Sequence, residues 1–555
     1  MTSYSHLIIR VAICLLLPLC FSVSGQDPVF KATTRLVEVS VVATDEKGSP
    51  VQDLKKEDFT ILEDGKRQDV SHFFTEAMLR AGAPPPKLPK GIYTNRPELL
   101  PHAPRTVNAI VIDYLNTPWA AQTATREQLL QVLRTLGEND VVAIYTLGQT
   151  LTILHDYTTD RKSLEAKLAN ASGVLSLRSK SETELVSLVA SRWSSAFGES
   201  RADMEKLYVA TMQRTRSMLT IRSLSLIARH MAGIPGRKNL IWMSSGFPIT
   251  IATQDEMTPS VSMTGGGGIV NNMPSRQRAI GGSEGVLLLD MIDKSIRQIS
   301  ASGVTVYGID VNGLLVPMAG ADSSFSFEIA NRALARIENE REAQAGLTEF
   351  SSRTGGVATI NTNNISGALK RALDDARYSY SLAYHTTNSK ADGKFRKIEI
   401  KVNRPGLKLR YRNGYSADEQ GKEPAGIMKG DLDEASQSPV SQTGVLLTAQ
   451  MKTSPSELNM VLQIEPTQLS LQPGKDGWTG ALEMMFIQRT ADGKMNGLRA
   501  SMPLKLTEEN YQTVMKKGLL YRRTMPRETG ANAMRVVVRD SNNGATGTLD
   551  LPLEP

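Results

Sequence analysis

Between residues 106 and 386, short apolar runs alternate with segments of helical periodicity. Residues 107–112 form a continuous apolar strand, and a helical pattern of Leu and Val follows it at residues 129–136. Strands that are buried on both faces are typical of parallel sheets covered by helices, and the alternation of strand and helix indicates βαβ units. The sequence therefore predicts an α/β fold with a doubly wound, mainly parallel sheet.

The same patterns place the other elements of this region. Further strands are predicted at residues 140–147, 239–243, 303–309, 356–360 and 378–385, and further helices at 161–169, 216–232, 287–302, 327–352 and 365–376. Two stretches interrupt the alternation, residues 171–212, which are polar and Ser-rich, and residues 249–284, which are Gly-rich. Because both are long and lack a periodic pattern, we interpret them as surface insertions.

Patterns typical of β structure flank this region on both sides. Residues 30–79 contain a Val-rich strand and two turn signals, which predict a small N-terminal β domain. Residues 80–105 carry prolines from Pro84 to Pro104, which exclude a helix and predict a stiff linker. Residues 394–416 alternate again, so we assign 106–416 to one α/β domain with a C-terminal β extension.

The last part of the chain has its own strand pattern. Residues 417–441 are charged and contain Gly and Ser, which is typical of a linker. Residues 442–555 contain short strands separated by turns such as Asp492-Gly493, with one helical segment at 507–516. We therefore predict a C-terminal β-sandwich, and 555 residues with 40% hydrophobic and 22% charged side chains fit a folded, multidomain protein.

The first 25 residues have the pattern of a secretory signal peptide. Arg10 precedes the apolar run 11–23, and Val23-Ser24-Gly25 provides small or tolerated residues for cleavage after Gly25. An uncleaved membrane anchor is the alternative, but about 13 apolar residues fall short of the roughly 20 that cross a bilayer. We therefore expect an exported protein, in the periplasm, on the cell surface or secreted, without a transmembrane segment after cleavage.

Cysteine usage and charge exclude several classes of protein. Both cysteines, Cys14 and Cys20, lie in the predicted signal, so the exported chain would have no disulfide, no Cys-ligated metal and no cysteine nucleophile. The 64 basic residues exceed the 57 acidic ones only slightly, and the two kinds are interleaved along the chain. We therefore expect no nucleic acid partner.

Candidate binding residues follow the predicted strands, because ligands of open α/β sheets bind beyond the carboxyl ends of the strands. They are Asp113, Asn116 and Thr117 after the first strand, Ser244 and Ser245 after residues 239–243, and Asp310 after residues 303–309.

Two of these segments carry a resemblance to a known family. Val111-Ile112-Asp113-Tyr114-Leu115-Asn116-Thr117 and the stretch from Gly236 to Gly246 resemble parts of a von Willebrand factor A domain, over about residues 106–386. Residues 30–416 resemble the VWFA-related family of exported bacterial proteins of acidobacterial type, through residues 54–59, 63–66, 378–384 and 412–415. The resemblance implies this fold and a binding role, such as adhesion through a protein partner.

The wider family often binds Mg²⁺ or Mn²⁺ at a metal-ion-dependent adhesion site built on an Asp-x-Ser-x-Ser loop, a Thr and a second Asp. Here Asp113 and Thr117 match the first and third loop positions, but Leu115 cannot ligate and Ser245 stands where the second Asp is expected. One carboxylate with two hydroxyls is a poor ligand set for Mg²⁺, which requires about six oxygens. The resemblance therefore implies a degenerate site at Asp113, Thr117 and Ser245, with at most weak Mg²⁺ or Mn²⁺ binding.

Two alternatives remain open for this loop. Asp113 and Thr117 could cap the following helix, since Asp and Thr at a helix start accept backbone N–H bonds. A partner could also dock without metal, through neutral hydrogen bonds from Asn116 and Ser244 beside Asp310.

Enzymatic motifs are absent from the sequence. It has no Gly-x-Ser-x-Gly elbow, no His-x-x-x-His pair, and no Gly-Lys-Ser/Thr ending after Gly265–Gly268. We therefore expect an exported, non-enzymatic binding or adhesion protein with an unknown protein partner. An extracellular hydrolase and a structural envelope component without a discrete ligand are the alternatives.

Overall fold

The computed structural model describes residues 36–75, 78, 88–96, 106–171, 201–247, 275–313, 327–417, 432–474 and 477–553, except for residues 90, 235, 389, 391, 393 and 439. The predicted signal peptide, most of both predicted insertions, and residues 418–431 lie outside these ranges.

The strands and helices are given in chain order. The strands are β1 Leu36–Thr44, β2 Phe59–Glu63, β3 Lys66–Gln68, β4 Val70–Thr75, β5 Ile92–Thr94, β6 Val107–Asp113, β7 Val141–Leu147, β8 Leu151–Thr158, β9 Lys238–Ser244, β10 Val304–Asp310, β11 Ser379–His385, β12 Phe395–Val402, β13 Lys408–Arg410, β14 Gly414–Ser416, β15 Leu447–Thr453, β16 Glu457–Ile464, β17 Gln472–Gly474, β18 Gly477–Thr490, β19 Met495–Leu506, β20 Leu519–Pro526, β21 Ala531–Asp540 and β22 Thr546–Pro552. The helices are α1 Trp119–Leu133, α2 Arg161–Ala169, α3 Arg201–Met231, α4 Ser275–Ala301, α5 Phe327–Thr354, α6 Ile365–Arg377 and α7 Glu508–Lys517.

A five-stranded sheet in the order β10-β9-β6-β7-β8 lies at the centre of the α/β region. Its pairs are parallel from β10 to β7, and the edge strand β8 is antiparallel to β7. Every residue of β6, β9 and β10 is buried, as their apolar sequences predict.

Helices cover both faces of this sheet. On one face α3, α4 and α5 pack around a core that includes Trp242, Phe247 and Phe350. On the other face α1, α2 and α6 pack against strand residues such as Ile110 and Ile241. The expected mixed α/β class is therefore confirmed.

Several predicted elements differ from the structure. Helix α3 begins at Arg201 and α4 at Ser275, so both helices extend into stretches that were assigned to insertions. Residues 356–360 contribute only one parallel bridge, from Thr359 to Ile309. The strand predicted at 378–385 exists as β11, but it is antiparallel to β1 and β4 and belongs to another sheet.

The N-terminal strands and the strands after α6 share one core. β1 pairs with β11 along seven residues, and β2 pairs with β12, which produces the four-stranded sheets β13-β1-β11-β4 and β14-β12-β2-β3. The sequence predicts these segments in two domains, residues 30–79 and 106–416. In the structure the strands of both segments pair in one core, because short strands need partner strands to bury an apolar face.

Two further antiparallel sheets enclose the C-terminal core. One has the order β20-β16-β15-β5, and in the other β18 pairs with β19, β17 and β21, while β22 pairs with β21. Met460, Phe486 and Val536 lie between the two sheets. The predicted helix is α7, whose N-cap Thr507 accepts a hydrogen bond from the Asn510 backbone N–H.

Parts of both predicted linkers are ordered against these sheets. β5, from within 80–105, pairs with β15. Residues 432–437 form a short helix that packs through Leu432 and Ala435 on the C-terminal sheet. The proline and charge content could not reveal these contacts, because the contacting strands lie far away in sequence.

The segment 440–443 joins the C-terminal sheets to the end of α3, and we call this contact the joint. Thr443 Oγ1 donates to the His230 carbonyl at 2.8 Å and accepts from the Gly233 N–H at 2.8 Å. The side chain of Val440 is buried in the core of the α/β region.

In the part of the chain that the structure describes, no helix combines the length and the apolar character needed to cross a membrane.

Candidate functional site

The carboxyl ends of three strands lie side by side and form one edge of the central sheet. Asp310 at the end of β10 is paired with Ser244 at the end of β9, and Met243 before it is paired with Ile112 of β6. Asp113, Ser244 and Asp310 therefore form a row across neighbouring strands. We call the segments 113–117, 244–247 and 310–313 together the rim.

Asp113 is fully buried, and its carboxylate accepts four hydrogen bonds. Oδ1 accepts the Asn116 backbone N–H at 3.0 Å. Oδ2 accepts the Asn116 side-chain amide at 2.8 Å, the Trp242 indole N–H at 3.0 Å and the Ser244 hydroxyl at 2.7 Å. Burial raises the pKa of Asp113, and the hydrogen bonds from Asn116, Ser244 and Trp242 only partly offset it.

Asn116 ties this loop to the helix behind it. Its side-chain nitrogen lies 2.8 Å from Asp113 Oδ2 and 2.8 Å from Thr220 Oγ1 in α3. Asn116 is buried, so it fixes the loop and does not offer its amide to a ligand. The expectation that Asn116 supplies a free contact at the rim is therefore wrong.

The capping alternative for Asp113 and Thr117 is also wrong. Helix α1 begins at Trp119, and its N-cap is Pro118, which makes no side-chain cap hydrogen bond. Thr117 is buried, and its Oγ1 has no hydrogen-bond partner among the described residues. Proline occupies the cap because its fixed φ suits a helix start and it needs no hydrogen-bond acceptor for a backbone N–H.

The serines after β9 point to different partners. Ser244 Oγ donates to Asp113 and accepts the Gly246 N–H at 2.9 Å, whereas Ser245 Oγ donates to Asn312 Oδ1 at 2.7 Å. Gly246 has a φ of +79°, and a Cβ atom there would lie 2.1 Å from the Ala343 carbonyl oxygen of α5. Only glycine allows this close approach, which brings the rim against α5.

Asp310 is buried within a second network of neutral groups. Its Oδ1 accepts the Asn312 N–H at 2.9 Å, and its Oδ2 accepts the Gln344 side-chain amide at 2.7 Å. Gln344 Nε2 also lies 3.1 Å from Asn361 Oδ1. Burial raises the pKa of Asp310, and its hydrogen bonds offset this only partly.

The residues at the rim do not fit a divalent cation. The four donors occupy the oxygens of Asp113, Ser245 turns to Asn312, and Asp310 is roughly 10 Å from Asp113 because one strand separates them. Within the described ranges, no three His, Cys, Asp or Glu side chains form a group that could hold a metal ion. The structure thus joins Ser244 to Asp113 by a hydrogen bond, whereas Ser245 bonds to Asn312 and Thr117 Oγ1 has no hydrogen-bond partner among the described residues.

Three residues that hydrogen-bond to the candidate side chains are not among the sequence predictions. Trp242 donates to Asp113 from within β9, and Gln344 donates to Asp310 from α5. Neither follows a strand, so the rule that selected the candidates could not find them. Asn312, two residues after Asp310, could have been included by that rule.

An exposed aromatic residue lies next to the rim. Trp119 is the first residue of α1, two residues after Thr117, and 52% of its surface is exposed. Large exposed aromatic side chains of this kind are enriched among the residues that dominate protein interfaces.

Comparison with known proteins gives no family for this chain. No family model matches the sequence, and no curated protein matches it. Three solved structures with partial similarity are an aerotolerance-related membrane protein from Bacteroides fragilis, the conserved hypothetical protein BatB from Bacteroides thetaiotaomicron, and proximal thread matrix protein 1 from the mussel byssus.

The similarity to these structures is low. The identities are 13%, 15% and 12%, and the TM-scores are 0.23, 0.22 and 0.21. Each alignment covers 49% of this chain, and it covers 98%, 98% and 48% of the other chain. At these TM-scores the similarity says nothing further about this protein.

Proposed function

We propose that this protein is an exported, non-enzymatic binding protein that recognises a protein partner at the rim. Its α/β region would be a von Willebrand A-like domain with a degenerate metal site. Recognition would use the exposed Asn312 and the indole ring of Trp119 in place of a metal-bridged carboxylate.

The sheet topology supports this proposal most strongly. Counted along the chain within the sheet, the order β8-β7-β6-β9-β10 is 3-2-1-4-5, the common order of doubly wound sheets. In such sheets the strand order reverses between strands 1 and 4, and ligands bind outside the carboxyl ends there. In this protein β6 and β9 meet at that position, where Asp113 accepts the Ser244 hydroxyl.

The hydrogen bonding of the rim supports recognition without metal. A carboxylate that already accepts four hydrogen bonds must lose some of them to bind Mg²⁺, and among the described residues no group of three His, Cys, Asp or Glu side chains lies there to compensate. The ordered networks around Asp113 and Asp310 instead give the rim a fixed shape. A preformed surface binds with less loss of conformational entropy.

Trp119 supplies an apolar anchor beside this fixed surface. Burying a tryptophan at an interface removes a large apolar area from water, and tryptophans are prominent among interface hot spots. We therefore assign Trp119 to the partner-binding surface. Protein partners suit such an anchor because they offer apolar pockets in which the indole ring can be buried.

The rim lacks the arrangement of a serine hydrolase. The Ser244 hydroxyl donates its hydrogen bond to Asp113, and the Ser245 hydroxyl donates its hydrogen bond to Asn312. Neither hydroxyl therefore donates to a histidine. A serine nucleophile needs an adjacent base within hydrogen-bond reach. This favours binding over catalysis at this edge of the sheet.

The proposed export rests on the signal pattern that ends at Gly25.

The proposed function can be tested by photo-crosslinking in the cells that produce the protein. A photoreactive amino acid at position 119 should capture one partner, and a probe at Met495, exposed to 56%, is the matched control. With the purified partner, Trp119→Ala should weaken binding at least tenfold, the usual effect of a hot spot, whereas Met495→Ala should leave it unchanged.

Two results would contradict the proposal. Equal capture at both positions would show that the rim is not the binding surface. Loss of binding in EDTA would show that recognition requires a metal ion.

N-terminal sequencing of this protein, purified from the same cells, tests export, because cleavage after Gly25 should leave Gln26 as the first residue.

A further inference from the structure

A histidine at the joint connects the C-terminal sheets to the central sheet. His230 lies in the last turn of α3, and its Nδ1 is hydrogen-bonded to the Ser441 carbonyl oxygen. A carbonyl only accepts, so Nδ1 carries the proton of the neutral ring. The Nε2 atom is therefore an acceptor when His230 is neutral.

The surroundings of Nε2 do not suit an acceptor. Nε2 is buried and has no hydrogen-bond partner among the described residues, and Asp156 Oδ1 of β8 lies 3.8 Å away. Two acceptors therefore face each other while the ring is neutral. A proton on Nε2 would convert this contact into an attraction between a cation and the Asp156 carboxylate.

Aromatic rings hold the imidazole in this orientation. The ring of Tyr157 stacks on it at 5.4 Å with an interplanar angle of 7°, and the ring of Tyr145 contacts it edge-on at 6.3 Å. Because the ring cannot turn freely, Nε2 stays directed to Asp156 while Nδ1 stays on the Ser441 carbonyl. Protonation would strengthen the bond to Ser441 and add the ion pair to Asp156, since both ring N–H groups then belong to a cation.

Other titratable groups surround His230, and each has a defined role. Burial raises the pKa of Tyr145 and of Tyr157 well above the ordinary value, so neither phenol changes charge near neutral pH. Arg229 precedes His230 on α3 and stays charged at any pH of interest. His155 of β8 is near Asp156, but its Nε2 is bonded to Ser163 Oγ at 2.7 Å.

Asp156 is ionised near neutral pH. Partial desolvation where its carboxylate meets the joint opposes this, but His230 and the Tyr157 backbone N–H hold the pKa of Asp156 below its ordinary value. The segment 440–446 on the other side of the ring contains no titratable residue. Asp156 therefore provides a constant negative charge beside Nε2.

We propose that His230 is a pH-sensitive latch between the C-terminal sheets and the central sheet. Its protonation adds an ion pair to Asp156 and strengthens the bond to Ser441, which tightens the joint in acid. The stabilisation is present while the ring is protonated and is lost when a rise in pH removes the proton on Nε2.

Hydrogen exchange on the full chain tests this latch at pH 5.5 and pH 8.0, after correction for the intrinsic exchange rate. The protection of segments 153–158 and 440–446 should be about two- to fivefold higher at pH 5.5, the effect of one partly exposed ion pair. Asp156→Asn should remove this difference. The Asp156 side chain is 69% exposed, so this variant keeps the fold.

Two histidine variants separate the latch from other effects of acid. His230→Asn keeps a donor for the Ser441 carbonyl but cannot be protonated, so its protection should be independent of pH. His155→Asn should retain the full difference between the two pH values. If His230→Asn and Asp156→Asn retain it, or if only His155→Asn removes it, the latch is wrong.

Discussion

Asp113→Ala should destabilise the central sheet by about 3 kcal/mol or more. The change leaves the Asn116 amide, the Trp242 indole N–H and the Ser244 hydroxyl without their common acceptor. A buried donor without a partner costs about 1–3 kcal/mol. Hydrogen exchange of the amides in β6 and β9 measures the loss as a drop in their opening free energy.

Asp113→Asn should show a smaller loss, because one oxygen remains but the new amide nitrogen cannot accept. Asp290→Ala is the control, since Asp290 forms an exposed pair with Lys294 in α4 and such pairs contribute little. A loss below about 1 kcal/mol for Asp113→Ala would contradict its role as the hydrogen-bond centre of the rim.

The destabilisation should also depend on pH with a defined sign. Burial raises the pKa of Asp113, so the folded protein binds a proton there more readily than the unfolded chain does. The advantage of the wild type over Asp113→Ala should therefore be largest in acid and decrease as the pH rises through that raised pKa.

Gly246→Ala should destabilise the same region by about 2–5 kcal/mol. A non-glycine residue in the left-handed region costs about 1–2 kcal/mol, and forcing atoms into a packed region costs about 1–3 kcal/mol. The new methyl group would lie 2.1 Å from the Ala343 carbonyl oxygen, so the rim must move away from α5. Hydrogen exchange of β9 and the following loop reports this movement.

Gly65→Ala separates the two causes of that loss. Gly65 has a similar φ of +80°, but no atom lies within 4 Å of its added Cβ. Its variant should lose only about 1 kcal/mol, measured in the amides of β2 and β3. Equal losses in the two variants would show that the contact between the rim and α5 has no energetic importance.

The central strands could be predicted because their environment is visible locally. A strand buried on both faces must be apolar throughout, and residues 107–112 show this directly. The same argument failed for β11, which is also almost fully buried. Its partner β1 lies more than 300 residues earlier, and no local pattern distinguishes a parallel partner from an antiparallel one.

The rim could be predicted only in part for a similar reason. Chain position identified Asp113, Ser244 and Asp310, because strand ends are visible in the sequence. The direction of each side chain depends on partners from other elements, such as Gln344 from α5. Sequence therefore located the edge of the sheet, but it could not show that its carboxylates are already hydrogen-bonded.

We propose that the rim recognises its partner without a divalent cation. Calorimetric titration of Mg²⁺ and Mn²⁺ into the full chain, beside Asp113→Asn, tests whether the rim holds such a cation. We predict no saturable heat at micromolar metal in either protein, because the oxygens of Asp113 already accept four hydrogen bonds. Saturable micromolar binding that disappears in Asp113→Asn would contradict the account.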